Sequence, residues 1–109
     1  MEIDWVKSES ELGLGRPVIL ELFKEYLKEA EGLLAKLEAA VASGDYTALV
    51  SAAHTLKGSS GNLRLTQIQD AARAVEMAGK EKKDRAAIGE LIKDLRALHE
   101  ELRKLTGNV

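Results

Sequence analysis

The chain has 109 residues, with 16 basic against 18 acidic side chains, a formal net charge of -2 and no cysteine. That length builds one small domain with a core and is too short for two. Missing cysteine rules out disulfides, thiolate metal sites and cysteine nucleophiles, and interspersed charge of both signs argues against general nucleic-acid binding. Hydrophobic residues make up 45% and aromatics 4%, with a single proline, a composition suited to packed helices and not to a sheet. No apolar run approaches the roughly 20 residues of a membrane span, and the acidic start Met1-Glu2-Ile3-Asp4 is unlike a signal peptide. The expected setting is a reducing cytoplasm.

Residues 3–13 read as a short, partly helical segment ending in the glycines of Leu12-Gly13-Leu14-Gly15. Trp5 is expected to cover one end of the fold. Pro17 suits a first helical turn, where its missing N–H is no loss. Ile19, Leu22, Phe23, Tyr26, Leu27, Ala30, Leu33, Leu34, Leu37 and Val41 then recur at three- and four-residue steps, predicting an amphipathic helix over residues 17–42 with a possible bend at Gly32. Ser43-Gly44 ends it and Asp45 caps the next. Leu49, Ala53, Leu56, Ser60 and Leu63 form the inward stripe of a second long helix. Thr66 with Gln69 reads as a capping box opening a third, with Ile68, Ala71, Ala72, Val75 and Ala78 inward and Gly79 as its stop. After Lys80-Glu81-Lys82-Lys83, Asp84 caps a last helix lined by Ile88, Leu91, Ile92, Leu95, Leu98, Leu102 and Leu105 and stopped by Gly107. Four amphipathic helices joined by short loops predict an all-α, antiparallel up-down four-helix bundle with a short N-terminal helical segment, and residues 1–109 are expected to form a single domain.

The run Ala53-His54-Thr55-Leu56-Lys57-Gly58-Ser59-Ser60-Gly61-Asn62-Leu63 carries the chemistry. With Leu49 marking the core, rotation by about 100° per residue puts His54 about 140° away, Lys57 about 80°, Gly61 about 120° and Gly58 about 180°. His54 therefore points to solvent, flanked by a cation and by bare backbone. Imidazole titrates near neutrality and offers a nucleophilic nitrogen. A lysine gives a positive point charge suited to phosphate. Glycine costs about 1 kcal/mol against alanine inside a helix, so two of them near His54 suggest that something large comes close. His99, beside Glu100 and Glu101 with no glycine near it, is expected to be a solvated surface residue.

Other chemistries fit poorly. Carboxylate-bridged metal sites in bundles use Glu-x-x-His, but Ser51 precedes His54 at that spacing and Arg96 precedes His99. No acid is evident to orient a triad with Ser51 or Ser59. Gly58-Ser59-Ser60-Gly61 is no P-loop, because the lysine precedes the glycines and no strand precedes the run.

His54-Thr55-Leu56-Lys57-Gly58-Ser59-Ser60 with Asn62-Leu63 closely resembles the signature of histidine-containing phosphotransfer (HPt) domains. Leu22-Phe23, Tyr26-Leu27, Ala30 through Leu37, Gly44-Asp45, Val75-Glu76 and Ala78-Gly79 extend the resemblance over roughly residues 10–80. It implies a phosphocarrier without kinase activity of its own. His54, phosphorylated on Nε2, would relay a phosphoryl group between receiver-domain aspartates of response regulators or a hybrid histidine kinase. Lys57 would compensate charge, and Gly58 and Gly61 would admit the partner's loops. The chain would need no cofactor, the Mg²⁺ coming with the receiver, and would act as a cytoplasmic monomer that binds neither nucleic acid nor membrane.

Two positions depart from the family pattern or vary within it. Many members have glycine where this chain has Arg64, which is expected to solvate the helix end or to pair with a phosphate or a partner carboxylate. Glu76 either accepts a hydrogen bond from His54 Nδ1–H, fixing the tautomer, or is a solvated surface acid. The alternative function is a non-phosphorylated helical-bundle adaptor that binds response regulators or other helices. Binding that survives His54→Ala with no phosphohistidine would mark it. A third is the phosphorylated domain of a chemotaxis-type kinase, excised from its parent.

Overall fold

In the computed structural model, which describes residues 1–107, five helices follow in order: α1 (Trp5–Leu12), α2 (Arg16–Ser43), α3 (Tyr46–Asn62), α4 (Thr66–Lys80) and α5 (Arg85–Leu105). Local chemistry sets most of their ends. The carboxylates of Asp4, Asp45 and Asp84 accept hydrogen bonds from the backbone N–H of Lys7, Ala48 and Ala87, occupying donors that a first helical turn leaves free. Pro17 lies in the first turn of α2. Gly13 and Gly44 close α1 and α2 in the left-handed conformation, at φ 67° and 75°, where a Cβ would be strained. The expected bend at Gly32 is no break, for α2 is helical throughout.

The start of α4 differs from expectation. Its N-cap is Leu65, and no side chain caps it. Arg64 turns the chain in a left-handed conformation, φ 60°, while Leu63 and Leu65 both donate backbone hydrogen bonds to Ser60 O. That tight turn makes Thr66 the first helical residue, and Gln69 faces Gly61 of α3 in place of completing a capping box. Gly79 does not stop α4 either, which continues through Lys80. It is buried, and a Cβ there would stand 2.9 Å from Val50 Cγ2 and 3.1 Å from Leu49 Cδ2. Its smallness lets α3 and α4 approach.

Helices α2 to α5 form the bundle, each packed on its two neighbours in a closed ring, and α1 lies against α2. The particle measures 42 × 25 × 18 Å. Ile19, Phe23, Leu27, Leu34, Leu37, Leu49, Leu56, Ile68, Ile88, Leu95 and Leu102 are large apolar side chains fully withdrawn from water, and each such burial contributes about 1.5–3 kcal/mol. Trp5 covers one end as expected, its ring centroid 6.1 Å from that of Phe23 and the Arg16 guanidinium 4.8 Å above it. Leu105, expected to line the core, is instead exposed.

His99 is the largest departure. It is buried at 1% exposure. Nδ1 donates to Leu95 O at 2.7 Å, leaving Nε2 to accept from the Tyr26 hydroxyl, also at 2.7 Å. A carbonyl can only accept, so these partners fix the neutral tautomer. Burial pushes the His99 pKa down and that of Tyr26 up. Glu100 and Glu101 suggested a wet surface, but each step along a helix rotates about 100°, so sequence neighbours do not share its environment.

Candidate functional site

Helix α3 owes its orientation to Ala53 and Leu56, both fully buried. Those two lie about 60° apart on the helical wheel, and His54 lies about 130° from their midpoint, so it must face outward. His54 does, with 68% of its side chain exposed. Gly58, one turn further on, is exposed, and a Cβ there would touch nothing within 4 Å. Ser60, on the core side, is satisfied by hydrogen bonds from its hydroxyl to Leu56 O and Lys57 O.

Glu76 reaches the ring from α4. It is 2% exposed, so it is not a solvated acid. Its Oε2 lies 2.8 Å from His54 Nδ1 and its Oε1 lies 2.7 Å from Lys57 Nζ. The Lys57 hydrogen bond, followed by that of His54 and the charges of Lys57 and Lys80, outweighs the burial and holds its pKa down at about 2. An ionised carboxylate has no proton to give, so Nδ1 is the donor. In the neutral ring the unprotonated nitrogen is then Nε2, on the opposite side from Glu76. No hydrogen-bond partner occupies Nε2 among the described residues.

Lys57, expected to face a phosphate, is thus engaged with Glu76, and only 25% of its side chain is exposed. Gly61 differs more. Its would-be Cβ runs into the side-chain amide of Gln69, the far end of a flexible side chain, so this glycine faces α4. Arg64 lies beyond the end of α3, in the turn to α4. Its Nε is 3.3 Å from Glu11 Oε2 and its Nη1 is 3.2 Å from Gly61 O. It ties the α3–α4 turn to α1, and its positive φ explains why a glycine suits this position.

Lys80 escaped the reading of the sequence. Its Nζ is 3.7 Å from Glu76 Oε2, one helical turn along, and the Glu76–Lys80 spacing of four residues was the available signal. Among the described residues no group of three or more His, Asp or Glu side chains has the disposition of a metal site, and no helix is long and apolar enough to cross a membrane. The site is an outward imidazole nitrogen on a rigid helix, with a buried carboxylate behind it and two cations on that carboxylate. The family model described as Hpt domain matches residues 21–105, which span nearly all of α2 and the whole of α3, α4 and α5. No curated protein and no solved structure matches the chain.

Proposed function

The chain belongs to the Hpt domain family, and on that premise we propose that it relays a phosphoryl group between receiver-domain aspartates through phosphorylation of His54 on Nε2. The observation that carries this reading is the hydrogen bond from Nδ1 to buried Glu76 behind an exposed ring. In the first step the Nε2 lone pair forms the N–P bond. The P–O bond of the donor's acyl phosphate breaks, and its electron pair leaves with the aspartate carboxylate. Nδ1 keeps its proton, so the ring becomes an imidazolium whose charge faces the Glu76 carboxylate. A carboxylate that holds a histidine tautomer and then stabilises the imidazolium is a known catalytic device. The second step reverses this toward another receiver. Phosphoryl transfer through a loose transition state depends mainly on positioning and charge compensation, which a rigid helical imidazole and its neighbours supply.

In this reading residues 1–109 work as one cytoplasmic, monomeric domain. The receiver brings the Mg²⁺, and ATP alone should not label the chain, whose sequence carries no nucleotide-binding motif. A phosphorylated receiver should label the wild type at His54, the label should be lost in acid, and His54→Gln should carry none. Acid-stable label, or label persisting in His54→Gln, refutes the assignment.

A further inference from the structure

Helix α4 starts without a side-chain cap. Its N-cap is Leu65, and the backbone N–H groups of Thr66, Gln67 and Ile68 find no acceptor among the described residues. A first helical turn in this state presents free donors and partial positive charge, which suit an anion. Thr66 and Gln67 line a cavity of about 190 Å³ between the start of α4 and helix α1. One water needs about 10–15 Å³ of such space, so a small organic ion fits.

Water alone could satisfy an uncapped helix start. The independent observation is Ser8 of α1, which is 9% exposed and lines the same cavity. Its hydroxyl bonds no protein group among the described residues, yet no polar side-chain atom there is sealed off without a partner. The hydroxyl therefore opens onto the cavity, a withdrawn donor in need of an acceptor. Arg64 and Lys7 stand on the cavity wall and add positive charge, but Glu2, Asp4 and Glu11 line it too. Asp4 is occupied in capping α1 through the Lys7 N–H. Glu11 lies 3.3 Å from Arg64 Nε and 3.9 Å from Lys7 Nζ. With these three acids against two cations, the wall repels a dianion such as phosphate and admits a single negative charge held by hydrogen bonds.

We propose that this cavity binds a small monocarboxylate, whose oxygens accept from the Thr66 and Gln67 N–H groups and from the Ser8 hydroxyl, with Arg64 supplying positive charge. A ligand held in this way clamps α1 to the turn between α3 and α4. The site does not depend on the chemistry of His54, and α1 precedes residues 21–105, which the Hpt model matches.

The test titrates the full chain with sodium acetate against sodium chloride at constant ionic strength, following the backbone amides by NMR. For a ligand this small the expected dissociation constant is on the order of 1 mM. The Thr66 and Gln67 amides should shift saturably with acetate and not with chloride. Ser8→Ala, which keeps the helix, should weaken binding about tenfold, the worth of a hydrogen bond to a charged group. Arg64→Gly, which suits the φ of 60°, should weaken it as well, and Lys93→Gln on α5 should leave it unchanged. The absence of a saturable shift beyond the chloride control overturns the proposal. So does undiminished affinity in Ser8→Ala, or phosphate binding more tightly than acetate.

Discussion

Gly58 gives the sharpest separation of stability from function. A Cβ at Gly58 meets nothing within 4 Å, and the residue sits inside α3 one turn beyond His54. Replacing glycine by alanine or leucine inside a helix gains about 0.5–1 kcal/mol from backbone entropy, with no packing penalty at an open position. For 109 residues, with unfolding entropy of about 2.1 cal/mol/K per residue, 1 kcal/mol moves Tm by about 4 °C. Gly58→Ala and Gly58→Leu should therefore melt about 2–4 °C above the wild type. Gly79→Ala is the opposing control. Its Cβ enters Val50 and Leu49, and overpacking of about 1–3 kcal/mol exceeds the helical gain, so it should melt lower. In transfer assays Gly58→Leu should be slower from a phosphorylated receiver by at least about tenfold, or 1.4 kcal/mol, because its isobutyl group stands where the partner must reach the ring. A Gly58→Ala variant that melts below wild type refutes the open-face argument. A Gly58→Leu variant that transfers at the wild-type rate refutes the steric one.

Two further predictions concern the buried polar groups. Glu76→Ala removes the acceptor for His54 Nδ1 and should slow phosphorylation by about 10²-fold, within the range for a general positioning or acid–base partner; single-turnover labelling at an unchanged rate would remove the orienting role. Acid should destabilise the fold in two windows, checked by urea unfolding at successive pH values. Burial lowers the folded-state pKa of His99, so the unfolded chain binds the proton more readily. Stability is therefore full above about pH 6.5, the unfolded value, and falls as the pH drops below it. Glu76, held at about 2 against an ordinary 4.5, gives a second loss between those values as the pH falls, because the folded carboxylate resists protonation. His99→Leu should abolish the first window and keep the second; flat wild-type stability between pH 7 and 5 would contradict the buried neutral imidazole.

How much of this was legible beforehand follows from which contacts are local. Helical periodicity depends on each residue's neighbours three and four positions away. The stripes from Ile19 to Leu102, the caps at Asp45 and Asp84, the helix ends at Gly13 and Gly44 and the outward phase of His54 and Gly58 were therefore readable from the amino-acid order. Contacts between helices have no such rule. That Glu76 meets His54 and Lys57, that Lys80 joins them, and that Gly61 lies under Gln69 depends on the rotation and height of α4 against α3. Tyr26 takes His99 out of water across 73 residues of chain, a pairing that no sequence spacing encodes. Residue order alone specifies an all-helical chain and the residue that faces solvent ready for chemistry. Only the packing of the helices decided which groups hold that residue's tautomer and charge, because side-chain directions converge only once the bundle closes.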